Sequence, residues 1–377
     1  MWICLFTAFA VCLALAYAGL QLCYWRAWRR LPVWAVPGGW APRTLVTVLV
    51  PARNESGHIA ACLHAILSAH YPAELLEVLV LDDFSEDDTA RQAAAIPGVC
   101  VLRLADYPEA APGGKKRALE LGIAQARGTL IAATDADSRV PPDWLRLSVS
   151  LYEQRRLGAI VGPVAIAPER GGLLSGFQAL DLAGMVGITG AGLGLGWHRM
   201  GNGANLCYPK VQFEAVGGYT GNRHLASGDD LFLLQKIARR APVVFLKNAG
   251  ATVRTPAQTT WLAFARQRLR WGSKAPALPE WSTRLSLALV FVLSCSVLYT
   301  AGLAFFYPKI WPVLLLQVAL KGLSDYILLA EMCRFFQRRD LLRWFFPALV
   351  LHPLYIAGIG AWSLFAGPYH WKGRRLA

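Results

Sequence analysis

Acidic residues are the first chemistry this sequence offers, because they come in pairs at the ends of apolar runs. Asp135 and Asp137 flank Ala136 directly after the run 130–134, Asp82 and Asp83 close the run 78–81, and Asp229 and Asp230 precede the run 231–237. Two carboxylates one residue apart can hold a hard divalent cation, which takes oxygen ligands and bridges phosphates. Asp137 with Asp135 is therefore a candidate site for Mn2+ or Mg2+, a cation able to neutralise charge growing on a departing diphosphate. Asp82 and Asp83 either cap a helix that starts near Asp87 or accept hydrogen bonds from a nucleoside. Asp229 and Asp230 stand where acids ordinarily cap a helix. A carboxylate fixed there is also placed to act as general base on an acceptor hydroxyl.

The basic and aromatic candidates are fewer. Neither Ser nor Thr follows Lys115 and Lys116, so Gly113-Gly114-Lys115-Lys116 is no Walker loop. Gly114 and Lys115 at a helix start still suit a phosphate, the alternative being a solvated basic turn. Gln267, Arg270 and Trp271 are spaced i, i+3 and i+4 and share one helix face. An indole beside a guanidinium suits stacking and diphosphate contact, or an interfacial Trp with snorkelling Arg, since Trp261, Phe264, Arg266 and Arg268 occupy other faces. The eight cysteines form no CxxC pair and the seven histidines no ligand pattern, so neither a disulfide framework nor a structural metal is expected. The glycines of 190–196 follow no apolar strand and read as a mobile loop.

These residues need elements to hold them. Short β-rich runs at 46–50, 78–81, 99–104, 130–134 and 159–164 alternate with helical patterns such as 57–69 and 116–126. Near-continuous apolar strands alternating with helices indicate a parallel sheet covered on both faces, a doubly wound α/β fold. In such sheets ligands bind beyond the carboxyl ends of the strands. Three polar clusters stand there: Pro51-Ala52-Arg53-Asn54-Glu55, Asp82-Asp83 and Asp135-Ala136-Asp137.

The rest of the chain is apolar. Of 377 residues 55% are hydrophobic and only 16% charged, where a soluble domain carries about 25%. Residues 2–25 hold no charge and are long enough to cross a bilayer. Arg26, Arg29 and Arg30 follow them, so the positive-inside bias puts the rest of the chain after Arg26 in the cytosol. Apolar segments at 285–306, 310–330 and 344–367 form a C-terminal membrane region, and 368–377 is a basic tail. Pro347 and Pro353 are expected to interrupt the last segment, letting it re-enter without crossing. Lys321 and Asp325 share a helix face within the second segment, as an internal ion pair or a substrate contact. A Pro- and Gly-rich linker at 31–42 leads into a soluble domain at 43–274. The net charge of +14 gathers beside apolar segments, so an anionic phospholipid bilayer is the expected partner and nucleic acid is not.

Taken in order, Pro51–Glu55, Asp82-Asp83, Gly114-Lys115, Asp135-Ala136-Asp137, Gly203-Ala204-Asn205-Leu206, Asp229-Asp230 and Gln267-Arg268-Leu269-Arg270-Trp271 resemble the motif series of family 2 glycosyltransferases. The resemblance covers about 46–271. It implies a GT-A fold, an inverting mechanism, a nucleotide-sugar donor that is most often a uridine diphosphate sugar, and a divalent metal. It assigns Ala52, Glu55 and Asp83 to the nucleoside, Lys115 to nucleotide binding and Asp137 to the metal, and the adjacent Asp82 and Asp135 are counted with the nucleotide site. Asp230 becomes the base with Asp229 beside it, and Gln267, Arg270 and Trp271 serve the diphosphate and acceptor side. Phe84 departs from the pattern, standing where the family usually has Gly, and Asp229 where Glu is commoner. The trailing apolar segments resemble those of lipid glycosyltransferases such as ceramide glucosyltransferase and its bacterial hopanoid and carotenoid relatives. That implies a membrane lipid acceptor and an integral membrane protein with its catalytic domain on the cytosolic face of a bacterial inner membrane. The apolar stripe Leu173, Phe177, Leu180 and Ile188 reads as too short and polar to span, and as lying in the interface. A processive polysaccharide synthase would share Gln267–Trp271 but need more membrane helices. A nucleotidyltransferase would lack that helix, and a non-catalytic nucleotide-sugar-binding protein would have lost an acid.

Overall fold

A computed structural model describes residues 2–107, 114–167, 171–222, 228–272, 278, 280–365, 369–371 and 374–376. Gly113, Ser227, Lys274, Gly367 and Lys372 lie outside the described residues. In chain order the elements are α1 (Trp2–Arg30), β1 (Val46–Ala52), α2 (Ile59–Leu67), β2 (Leu76–Asp82), α3 (Thr89–Ala94), β3 (Val99–Arg103), α4 (Lys115–Gln125) and β4 (Leu130–Ala133). Then come α5 (Trp144–Arg155), β5 (Ala159–Val161), β6 (Val164–Ile166), α6 (Leu173–Leu195), β7 (Leu206–Pro209), α7 (Lys210–Ala215), α8 (Asp229–Ile237), β8 (Val243–Phe245) and β9 (Val253–Thr255). The chain closes with α9 (Trp261–Gly272), α10 (Trp281–Phe306), α11 (Trp311–Phe335), α12 (Phe345–Phe365) and the short strands β10 (Tyr369–Trp371) and β11 (Arg374–Leu376). They form two compact units. One gathers Met1–Leu31, Pro168–His198 and Ala257–Gly367, the other Pro32–Ala167, Arg199–Pro256 and Pro368–Ala377.

The second unit is built on a sheet of order β3-β2-β1-β4-β7-β5-β8. β1 lies parallel to both β2 and β4, in register Val48↔Val78 and Val48↔Ala132. These strands are buried nearly throughout, as near-continuous Val/Leu/Ile runs require. Their carboxyl ends deliver Ala52, Asp82 and, just past β4, Asp135. The sheet is not wholly parallel: β7 runs antiparallel between β4 and β5. Four residues ending in Pro209 carry too little alternation to be read as a strand from sequence. The polar Asn205 ahead of them is spent on structure. Its amide donates to the carbonyls of Pro163 at 2.8 Å and Ala251 at 2.9 Å, and its Oδ1 accepts from Trp144 Nε1 at 2.8 Å.

The first unit is helical. On α1 the residues Ala10, Ala14, Tyr17, Gln21, Tyr24 and Trp28 are buried. They recur at alternating steps of four and three, the seam that lets one helix pack along others; α1 packs on α6, α10 and α11. Among the described residues five stretches have the length and apolarity to cross a membrane: Cys4–Arg30, Leu173–Leu195, Trp281–Phe306, Pro308–Phe335 and Arg339–Ser363. Two expectations change. The glycines of 190–195 form no loop; α6 runs through them to Leu195 and ends at Gly196, whose φ of +69° suits glycine. Their lack of side chains permits close approach, as where Gly187 meets Met332 and Gly194 meets Leu31. Likewise Pro347 and Pro353 do not break the last segment: α12 begins at Phe345 and carries Pro353 inside it. Position 347 is in the first turn, where the missing N–H has no helical partner to lose.

α6 is long and apolar enough to span. β5 before it and β7 after it are paired in one sheet, so the chain leaves that sheet for α6 and returns to it.

Candidate active site

The site's acids converge on Lys115, the first residue of α4. Its Nζ lies 2.7 Å from Asp135 Oδ1 and 3.2 Å from Asp229 Oδ2. Burial opposes a charge on Lys115, but Asp135, Asp229 and Asp230 prevail and hold the ammonium above the ordinary lysine value. Gly114 sets the lysine's position: its φ is +110°, open only to glycine without strain, and its N–H donates to Asp83 Oδ1 at 2.9 Å. The loop after β2 is thereby tied to the start of α4.

Asp82 closes β2 and is 3% exposed, and its Oδ1 has no partner among the described residues. A buried carboxylate oxygen is costly unless a donor reaches it, which suits the N–H or O–H of a nucleoside. The capping alternative fails for this pair, because the Asp87 carboxylate accepts from the Thr89 N–H at the start of α3 instead. Arg53 Nη1 holds the same turn by donating to the carbonyls of Asp83 at 2.8 Å and Phe84 at 2.9 Å. Phe84 adopts φ +55°, so this is a left-handed position where glycine would be the easy residue. Glu55 is fixed through its backbone N–H, which donates to Thr89 Oγ1 at 2.7 Å.

Asp135 and Asp137 leave β4 beside the buried Cys62. Burial and the charges of Asp137, Asp135 and Glu55 push the Cys62 thiol up to about 12 against the pull of Arg139. No group of three or more His, Cys, Asp or Glu side chains poised for a metal occurs among the described residues. Two carboxylates nevertheless suit a cation such as Mg2+, which binds through one or two of them and completes its shell with water and phosphate.

Asp229 and Asp230 begin α8 and differ in setting. Asp229 is 9% exposed and paired with Lys115. Asp230 is half-buried; its Oδ2 accepts from the Gly203 N–H at 3.0 Å and its Oδ1 from its own helix at Leu231 N, 2.7 Å. Each oxygen keeps a further lone pair. Gly203 is the site residue whose role sequence reasoning passed over. A Cβ there would lie 3.2 Å from Lys115 Nζ and 3.4 Å from Asp229 Oδ2. Its place at the head of the Gly203-Ala204-Asn205-Leu206 motif was the available signal.

Gln267, Arg270 and Trp271 belong to α9 in the helical unit and are half-buried. The buried cation of that helix is Arg268. It pairs with Asp181 on α6 at 2.8 Å and lies 4.3 Å from the Trp271 ring centroid and 4.9 Å from that of Phe264. Phe177 and Leu180 are not on a membrane-facing stripe but 1% exposed, with Phe177 against Trp261, Phe264 and Tyr355.

A sheet with acids gathered at the carboxyl ends of its parallel strands has them at the binding edge of an α/β fold, and comparison specifies which. A mannosyltransferase from Pyrobaculum calidifontis, solved with GDP-Man and Mn2+, matches over 95% of this chain and 99% of its own, with a TM-score of 0.58 and 21% identity. The shared fold is GT-A. Residues 47–175 match the profile of Glycosyl transferase family 2 and residues 130–361 that of Glycosyl transferase family group 2. The chain belongs to this glycosyltransferase family. The beta-monoglucosyldiacylglycerol synthase of Synechocystis sp. is 29% identical over 247 residues, 61% of this chain and 47% of the relative. Its counterpart in Trichormus variabilis is 35% identical over 126 residues, 32% of this chain and 26% of the relative. The chain thus spans about half the length, or less, of these curated relatives.

Proposed function

We propose that the protein is an inverting glycosyltransferase that moves a hexose from a nucleotide sugar, expected to be a UDP-sugar, to the hydroxyl of a membrane lipid. The observation that carries this reading is the Lys115–Asp135–Asp229 cluster with Asp230 held beside it by the Gly203 N–H. Asp82 and Asp83, with Ala52 and Glu55, take the nucleoside; Lys115 meets the diphosphate. Asp137 and Asp135 would hold Mn2+ or Mg2+, which supplies positive charge to the leaving diphosphate. Asp230 removes the proton as the acceptor oxygen forms its bond to the anomeric carbon and the bond to the diphosphate oxygen breaks. Asp229, already paired, orients Lys115. Gln267, Arg270 and Trp271 serve the diphosphate and acceptor. The lipid reading draws on the membrane-length helices and on relatives named for a diacylglycerol product. In it the GT-A unit faces the cytosol, and α6 lies along the membrane surface with both ends on that side.

The test is incubation of the purified protein with a panel of nucleotide sugars and a total lipid extract, with and without chelator, read by mass spectrometry. One glycosylated lipid of inverted anomeric configuration, lost on chelation and restored by Mn2+ or Mg2+, is expected. Efficient glycosylation of a soluble sugar or peptide with every lipid ignored overturns the acceptor, and full activity in excess chelator overturns the metal.

A further inference from the structure

Between α1, α6, α11 and α12 the helical unit holds a partly open cavity of about 110 Å3. Much of its wall is apolar, from Phe177, Leu180, Ile188, Leu328 and Ala348, but Tyr17, Gln21, Lys321, Asp325 and His352 also line it. Lys321 and Tyr17 are each 2% exposed and Gln21 is 6%. Tyr17 Oη donates to Asp325 Oδ1 at 2.6 Å, Gln21 Nε2 to Tyr17 Oη at 2.7 Å, and Lys321 pairs with Asp325. The groups left over point to a ligand. Gln21 Oε1 and His352 Nδ1 are buried without a partner among the described residues. Lys321 donates there only to Asp325, although an ammonium carries three N–H donors. Polar groups at membrane depth normally pair or mark a substrate path. Here the residues that carry these groups, Gln21, His352 and Lys321, line one cavity.

Depth and charge narrow the occupant. Gln21 stands five residues before Arg26 on α1, Leu329 five before Arg334 on α11, and Ala348 five beyond Arg343 at the start of α12. At 1.5 Å per residue each is about 8 Å from an arginine, and arginines at helix ends reach for the headgroups. One end of the cavity therefore sits at the boundary of headgroups and acyl chains, while Tyr17, Asp325 and His352, nine residues from those arginines, and Lys321, thirteen, lie about 14–20 Å from them. Its formal charges cancel: Lys321 is matched by Asp325, and the lining Asp181 by Arg268 at 2.8 Å. A phosphate would bring an unmatched negative charge. A hydroxyl can donate to Gln21 Oε1 or His352 Nδ1 and accept from Lys321.

We propose that this cavity binds the head of an uncharged lipid carrying free hydroxyls, with its chains along the apolar wall. Resting on the glycosyltransferase reading, it takes this lipid for the acceptor. The experiment uses the full chain in detergent micelles with two photoactivatable probes of identical chains, a diacylglycerol and a phosphatidic acid. Saturable labelling of α11 and α12 by the diacylglycerol, uncompeted by phosphatidic acid, is expected. Ala348→Phe, which fills the cavity, should abolish it. Gln21→Leu, which removes one hydrogen-bond acceptor, should weaken it about 3- to 10-fold. Melting curves check that both variants remain folded, and Gln21→Leu decides alone if Ala348→Phe does not. Absent saturation, equal labelling by phosphatidic acid, or wild-type labelling in folded variants overturns the site. A diacylglycerol that labels saturably yet is never glycosylated overturns its assignment as acceptor and leaves the site standing. Sugar transfer by Ala348→Phe with the wild-type KM for lipid likewise overturns the assignment as acceptor and leaves the glycosyltransferase reading intact.

Discussion

Lys115 and Lys321 both pair with aspartates, and their surroundings separate a working cluster from a sealed one. Lys115 and Asp135 keep 25% and 37% of their side chains exposed, against 2% and 13% for Lys321 and Asp325. Around Lys115 the neighbouring acids Asp83 and Asp230 are fixed by backbone, Asp83 by the Gly114 N–H and Asp230 by the Gly203 N–H and the first turn of α8. Those bonds survive if the lysine exchanges a carboxylate for a phosphate. Around Asp325 the donors are side chains, Tyr17 and Lys321, and losing one strands a charge in an apolar bundle. A strand-end cluster can therefore change partners during a reaction, whereas the bundle pair must keep its own.

The largest effect expected from breaking this comparison is catalytic. Asp230→Asn should lower kcat by about 100- to 10,000-fold, the usual worth of a general base, with donor affinity and melting nearly unchanged. Nucleotide release measures it. If Asp229→Asn is dead and Asp230→Asn runs near the wild-type rate, the base is one residue away.

Next comes the sealed pair. Lys321→Met leaves Asp325 buried alone and should cost about 3–5 kcal/mol, and Lys321→Met with Asp325→Leu should recover most of that. Lys115→Met should cost about 1 kcal/mol or less, as for a partly solvated pair, while weakening donor binding. Denaturant titrations of the three variants decide. Equal stability losses at the two lysines would remove the distinction.

The sequence made the first region far more legible than the second. Asp82 and Asp135 could be placed at strand ends because apolar runs feed directly into them, and a parallel sheet puts such ends at its binding edge. β7 stayed hidden because its pairing with β4 and β5 is non-local and its four residues alternate too little. Arg268 and Asp181 are 87 positions apart, so no spacing rule could join them, and Arg268 read as one snorkelling arginine among several. α6 misled for the opposite reason. Gly190, Gly192 and Gly194 disfavour helix locally, and only tertiary contact explains why they are helical. Gly192, for example, leaves His198 a place that a Cβ would take.

Gly203 tests the strand-end cluster more finely. Gly203→Ala brings a Cβ within 3.2 Å of Lys115 Nζ, tighter than such contacts normally are, so the lysine must shift. A sub-ångström displacement beside the reacting groups should lower kcat about 10- to 100-fold. Stability should hold, since the new methyl meets the end of a flexible side chain. Unchanged kcat would show that the Lys115 position is not critical.

The smallest prediction asks whether the two regions obey the same local backbone rules. Arg156 follows α5 at φ +46° and Gln337 follows α11 at φ +56°, and both side chains are exposed. Each sits just past a helix in the left-handed conformation, where glycine is usual. The left-handed conformation costs a non-glycine residue about 1–2 kcal/mol, and glycine's extra freedom in the unfolded chain returns about 0.5–1 kcal/mol of that. Arg156→Gly and Gln337→Gly should each stabilise the protein by about 0.5–1 kcal/mol, because neither exposed side chain gives up packing. The gain should be equal although one helix belongs to the sheet unit and the other is long and apolar enough to span a membrane. Melting the two variants separately and together measures it, and distant sites should add. A gain at Arg156 with a loss at Gln337 would mean that the basic turn after α11 holds its conformation through contacts of the glutamine side chain, and the comparison would then extend to the loops.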